Sequence, residues 1–103
     1  MSDKPVLIVS LWLRGEDVEA FESFESKIAQ IQAKHGGRID QAIRVHNPDG
    51  DPTLPFEVHV VSFERAEGLA AYRADPQFQE LRGLAERILL KTVVLQGRDV
   101  GPY

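Results

Sequence analysis

Polar side chains able to exchange protons lie on two segments near the middle of the chain. Asp40, Arg44 and His46 share one parity in the first segment, and Glu57 and His59 share one parity in the second. A histidine paired with a carboxylate is a workable general base, because imidazole titrates near neutral pH. An adjacent guanidinium suits an enolate or carboxylate oxygen. This pattern predicts His46 or His59 as the base, Arg44 as the anion holder, and Glu57 and Asp40 as substrate contacts.

The predicted site depends on how the two segments pair across the loop 47–55. We expect Arg44 to lie opposite His59 and His46 opposite Glu57, which places the polar side chains on one face of a sheet. A second interpretation is a cross-strand ladder of salt bridges with a structural role. Structural ion pairs are commoner than catalytic ones, which favours the ladder when these residues are taken by themselves.

Two aromatic residues complete the candidate site as substrate-binding groups. Trp12, the only tryptophan, ends the first apolar segment, where it could wall a cavity between sheet and helices. Tyr72 lies on a predicted helix and could aim its hydroxyl into the same cavity. Each also suits ordinary packing, Trp12 in a core or interface and Tyr72 as an amphipathic cover with its hydroxyl in water.

Other chemistries have weaker support. The chain has no cysteine, and its three histidines lack the spacing of the common metal motifs, so we predict neither a metal nor a bound cofactor. The net charge of −4 disfavours nucleic-acid binding. An acidic row is predicted as the solvated face of a helix. Its members are Glu16, Glu19, Glu22 and Glu25.

Length and hydropathy predict one domain over residues 1–103 that contacts no membrane. A chain of 103 residues suits a single core. No stretch approaches the roughly 20 apolar residues of a membrane helix. The N-terminus lacks the basic start and long apolar run of a signal peptide, so we expect a cytoplasmic protein.

The hydrophobic periodicity predicts an alternation of strands and helices. Strands are expected at Val6–Leu13, Ile39–Val45, Phe56–Phe63 and Leu89–Leu95, and helices at Glu16–His35 and Glu64–Ile88, the second restarting at Asp75-Pro76. The order strand, helix, strand, strand, helix, strand is that of the ferredoxin-like α+β fold. It implies a four-stranded antiparallel sheet with both helices on one face and the first and third strands at its centre.

The first strand is apolar on both faces, which predicts a partner for the open side of the sheet. Leu7, Val9 and Leu11 occupy one face, and Ile8 and Trp12 the other. A sheet face left to water normally carries polar residues. We therefore expect a homodimer in which a second copy covers this face. The alternative is a small exposed patch.

Three local patterns resemble a known family. They are His35-Gly36-Gly37-Arg38, Val60-Val61-Ser62-Phe63-Glu64 and the segment from Ala71 to Leu81. Together they resemble the dimeric α/β-barrel superfamily, and within it the uncharacterised DUF1330-type group. That superfamily includes cofactor-free monooxygenases, small-molecule isomerases, chlorite-dismutase-like haem proteins and proteins without known activity.

The resemblance implies a small partly apolar ligand, bound in a pocket between sheet and helices. It is compatible with a cofactor-independent monooxygenase or isomerase. A non-catalytic interaction or stress-associated dimer is the competing class, because fold alone does not select a function.

Overall fold

Four antiparallel strands form one sheet, and three helices cover one of its faces. The structure is a computed structural model that describes residues 3–103. The strands are β1 (Val6–Leu13), β2 (Gly37–Arg44), β3 (Glu57–Phe63) and β4 (Leu89–Gly97), and the helices are α1 (Val18–Lys34), α2 (Ala66–Ala74) and α3 (Pro76–Ile88). The sheet order is β2-β3-β1-β4. This arrangement confirms the predicted ferredoxin-like α+β fold with β1 and β3 in the centre.

The helices begin and end where local capping chemistry dictates. The Asp17 side chain accepts a hydrogen bond from the Ala20 N–H at 3.0 Å and starts α1. The Asp75 side chain accepts from the Gln77 N–H at 2.8 Å, and Pro76 follows it, so the predicted restart divides the second helical region into α2 and α3. Within residues 3–103, no helix combines the length and apolar character needed to span a membrane.

Two glycines follow α1, and a different physical reason favours glycine at each of the two positions. Gly36 has a φ of +80°, a left-handed conformation that ends the helix and favours glycine. At Gly37, a Cβ atom would lie 2.6 Å from the Phe63 ring and 2.9 Å from the Gln32 carbonyl oxygen. The absence of a side chain therefore lets β2 start directly beneath α1.

A β-bulge at Asp40 sets the register between β2 and β3. Ile39 pairs with Val61, but Gln41 pairs with Val60, so Asp40 is the extra residue. Beyond the bulge, Ala42 lies opposite His59 and Arg44 opposite Glu57. The predicted register, with Arg44 opposite His59, is wrong by two residues.

The core lies between the helices and the inner face of the sheet, while the outer sheet face carries an uncovered apolar surface. Phe21, Val61 and Phe63 are fully buried at the centre of the core. On the outer face, Ile43 and Leu95 are 50% and 62% exposed. We call this surface the open face; strand alternation and register assign to it Val6, Ile8, Trp12, Ile43, Val58, Val60, Val93 and Leu95.

Candidate functional site

A buried carboxylate–imidazole pair forms the centre of the candidate site. Glu57 and His59 stand two residues apart on β3 and therefore point to the same face, towards the helices. His59 Nε2 lies 2.5 Å from Glu57 Oε2, and the two side chains are 5% and 10% exposed. This hydrogen bond fixes the imidazole and leaves Nδ1 as the nitrogen available for proton transfer.

Arg44 forms the outer end of the site. Its Nε and Nη2 atoms both lie 2.8 Å from Glu57 Oε1, and Nη2 lies 3.3 Å from Glu22 Oε2. The guanidinium also stacks over the Phe56 ring at 4.3 Å. The hydrogen bond with Glu57 raises the pKa of Arg44 above its ordinary value. Two carboxylates thus balance one guanidinium, so the site suits a neutral ligand better than an anion.

Glu25 joins the site from α1, contrary to the predicted solvated row. It stands four residues after Phe21 and three before Ile28, both buried, so helical geometry places it on the stripe that faces the sheet. Burial raises the pKa of Glu25 to about 7, opposed by the nearby His59 and reinforced by Glu57. The spacing of Glu25 from Phe21 and Ile28 is visible in the sequence and could have identified Glu25 as an inward-facing residue.

Tyr72 and Gln32 lie deeper between the helices and the sheet. The Tyr72 ring packs against Phe63 and Phe78, with centroid separations of 5.5 and 4.3 Å. Burial raises the pKa of the Tyr72 hydroxyl to about 12, offset in part by its hydrogen bond with Gln32. The negative charge of Glu25 also acts on this hydroxyl. The structure therefore places Tyr72 in the same layer, between the helices and the sheet, as the Glu57–His59 pair.

Three predicted site residues lie elsewhere. His46 is exposed beyond the end of β2, because Arg44 takes the place opposite Glu57 and the chain then enters the loop. Asp40 sits in the bulge and hydrogen-bonds Ser62 and Arg38 at the outer sheet face. Trp12 alternates with the inward Leu11, and its ring contacts Lys91 Nζ at 4.8 Å on the open face. The assignments of these three residues to one site with His59 are corrected accordingly.

The site is closed by its own side chains. His59 pairs across the sheet with Ala42, an exposed residue with only a methyl group to cover this side. The 44% exposed Arg44 side chain and its contact with Glu22 form the adjacent boundary. In residues 3–103, no three His, Asp or Glu side chains are arranged to hold a metal ion.

Sequence comparisons identify a partial likeness. No protein-family model matches the chain. A stretch of 54 residues, 52% of this chain, is 35% identical to a dihydroneopterin aldolase from Streptomyces coelicolor. The match spans 45% of that enzyme, about half of its length.

Solved structures match nearly the whole chain. A protein of unknown function from Rhodopseudomonas palustris is similar over 98% of this chain and 86% of its own, with a TM-score of 0.77 and 12% identity. SnoaB, a cofactor-independent oxygenase from Streptomyces nogalater, matches over 98% and 97% with a TM-score of 0.71 and 14% identity. A candidate antibiotic biosynthesis monooxygenase from Nitrosomonas europaea matches over 99% and 95%, with a TM-score of 0.72 and 14% identity. At these identities the likeness shows a shared fold.

Proposed function

We propose that this protein binds a small, partly apolar molecule between the sheet and α1 and removes a proton from it. The reaction would be that of a cofactor-independent monooxygenase or an isomerase. The observation that carries the proposal is the buried Glu57–His59 pair, whose nearest atoms are 2.5 Å apart. A base held by a carboxylate and shielded from water is suited to proton abstraction. The oxygenase activity in the name of SnoaB, which shares the fold, supports the same class.

Each residue of the site has a distinct role in this proposal. His59 takes the proton, and Glu57 orients its imidazole. Arg44 stabilises the oxygen that gains negative charge, for which it exchanges its 3.3 Å contact with Glu22 for one with the ligand. The Tyr72 ring closes the inner end of the proposed ligand site. The substrate would be a neutral enolisable ketone or a phenol, because the carboxylates already neutralise Arg44.

The proposal also covers the family and the oligomeric state of the protein. We assign it to the dimeric α/β-barrel superfamily, with the DUF1330-type group as the subfamily that its motifs resemble. A second copy would cover the open face and make a homodimer, placed in the cytoplasm. The apolar character of the open face supports this assembly.

Binding of an enol mimic tests the proposed function. The probe is 2-naphthol, which is neutral, planar and partly apolar and presents one hydroxyl where an enol would. Calorimetric titration should show binding to the wild-type protein, and His59→Ala should weaken it at least about tenfold, the scale of one buried hydrogen bond to the ligand.

His46→Ala is the matched control, because His46 is exposed outside the site. This variant should bind 2-naphthol with wild-type affinity. Equal affinity in the His59→Ala and His46→Ala proteins, or no binding to the wild-type protein, contradicts the proposal. The competing interpretation, a non-catalytic dimer with a structural polar cluster, would then account for the site.

A further inference from the structure

Glu25 is a partly buried acid for which the Glu57–His59 mechanism has no use. It projects from α1 between Phe21 and Ile28 towards β3. Among the described residues it makes no hydrogen bond and no ion pair, although it is near enough to His59 and Glu57 for their charges to act on it. An unpaired carboxyl group on the inward stripe of a helix is expensive to keep unless it has a function.

Hydrogen-bonding atoms of Glu25 and His59 are left without a partner in the described part of the chain. His59 Nε2 is engaged by Glu57, and Nδ1 has no described partner. In the described part of the chain, Gln32 Oε1 is the side-chain polar atom that is both sealed from solvent and without a partner. The Glu25 oxygens and His59 Nδ1 therefore retain slight solvent contact and an unused capacity for hydrogen bonds.

We propose that Glu25 is the proton donor that works with the His59 base, so that the site moves a proton between the α-carbon and the oxygen of a bound ketone. This proposal rests on the proposed function and narrows it to keto–enol isomerisation. Such a transfer needs an acid and a base close to one another, and here they come from two packed elements, α1 and β3.

The step balances without any further reactant. His59 Nδ1 takes the α-proton, and the electron pair of the broken C–H bond becomes the new C=C bond. The π pair of the carbonyl moves to oxygen, which takes the proton of Glu25 and becomes the enol hydroxyl. After the enol leaves, the imidazolium returns its proton to the Glu25 carboxylate, and the site is restored.

The surroundings keep Glu25 protonated in the range where an imidazole is a base. From β3 it faces His59 and Glu57, and from α2 the Tyr72 hydroxyl, near which Arg73 on α2 and Arg82 on α3 add positive charge. Arg44 on β2 acts through Glu57. Burial raises the pKa of Glu25 to about 7, so the donor is present up to neutral pH and is lost above it.

Deuterium exchange of 2-tetralone tests the inference. Its α-protons are monitored by proton NMR in D2O, from about pH 5 to 9, with wild-type protein and with Glu25→Gln. Wild-type protein should accelerate exchange and lose activity above about pH 7. Glu25→Gln should be slower by about 100-fold, the scale of a general acid, and should lose the decline above pH 7.

Glu19→Gln is the matched control, since Glu19 lies on α1 with an exposed side chain and has no part in the site. It should keep the wild-type rate and pH profile. An unchanged rate and pH profile in Glu25→Gln overturn the role of Glu25. Wild-type protein that binds 2-naphthol but does not accelerate exchange overturns the inference while the proposed binding site stands. Absence of 2-naphthol binding instead overturns the proposed function beneath it.

Discussion

Glu57 and Glu25 are neighbouring carboxyl groups that differ in their hydrogen-bond partners. Glu57 gives one oxygen to Arg44 and the other to His59, so its charge is compensated on both sides. Glu25 lies close by without a hydrogen bond among the described residues, and burial raises its pKa to about 7. A charge without compensation in a low-dielectric layer shifts towards its neutral form.

Replacement of Glu25 should therefore change how stability depends on pH. The pKa of Glu25 rises from 4.5 in the unfolded chain to about 7 in the folded protein. The folded state therefore binds the proton more tightly, and this contribution is complete below about pH 4.5 and is lost as the pH rises through about 7. Glu25→Gln should be more stable than wild type by about 1–3 kcal/mol at pH 8.

Urea denaturation at pH 5 and pH 8 measures this difference. The stability gain of Glu25→Gln should be larger at pH 8 than at pH 5. Glu22→Gln, at an exposed position of the same helix, should show little change at either pH. A gain of the same size at both pH values would show that Glu25 does not titrate in this interval.

At the scale of elements, one side chain ties the end of α1 to the start of α3. Asp75 accepts hydrogen bonds from His35 Nε2 at 2.7 Å, Lys34 Nζ at 2.9 Å and the Gln77 N–H at 2.8 Å. The bond with His35, followed by that with Lys34, holds the pKa of Asp75 well below its usual range. At pH values above the ordinary pKa of an aspartate, the ionised Asp75 side chain thus stabilises the helix layer. This contribution is lost as the pH falls and the carboxylate becomes protonated.

The packing of α2 beneath α1 allows a glycine comparison. A Cβ atom at Gly68 would collide with the His35 carbonyl oxygen, whereas nothing lies within 4 Å of the corresponding position at Gly83 in α3. Gly68→Ala should therefore destabilise the protein by about 1–3 kcal/mol, as forced displacement of packed backbone does. Gly83→Ala should stabilise it by about 0.5–1 kcal/mol, because alanine favours a helix over glycine.

Guanidinium denaturation of both variants gives the two free energies of unfolding. The opposite signs separate local crowding from the general preference of a helix for alanine. A Gly68→Ala protein as stable as Gly83→Ala would mean that α2 is free to move away from the end of α1.

At the scale of the whole molecule, the open face is the feature that a single chain leaves unsatisfied. Ile8, Ile43 and Leu95 are at least 36% exposed, and they lie on the same side of three strands. A contiguous apolar surface of this kind usually marks an interface. A two-fold pair of such faces would bury it from both sides.

A charge placed on the open face should separate the proposed dimer. Native mass spectrometry of the wild-type protein should give the mass of two chains. Ile8→Glu should give the mass of one chain, because burial of a charge without a partner is strongly unfavourable. Leu54→Glu is the control, since Leu54 is 40% exposed but lies in the loop between β2 and β3.

In this control the two-chain mass should persist. Wild-type protein at the mass of one chain would contradict the proposed homodimer and leave the open face as a property of the single chain. Persistence of the dimer in Ile8→Glu would instead place the interface elsewhere on the molecule.

Periodicity and local chemistry in the sequence were sufficient for the fold. The bounds predicted for β1, the break at Asp75-Pro76 and the stop at Gly36-Gly37 agree with the structure because each depends on residues adjacent in the chain. The predicted order of elements, and the sheet topology that follows from it, also agree with the structure. His59, Glu57 and Arg44 were also proposed from residue type, as side chains with suitable chemistry on neighbouring strands, and in the structure they contact one another.

Tertiary structure alone decided which of these side chains meet. The bulge at Asp40 moves Arg44 opposite Glu57 on the inner face and leaves His46 in the loop, whereas Asp40 itself stays on the outer face. One additional residue in a strand reverses the facing of every residue after it, and its position depends on how β2 fits beneath α1. Glu25 joined the site for a related reason, since only the docking of α1 on β3 determined that a member of its acidic row would lie beside His59.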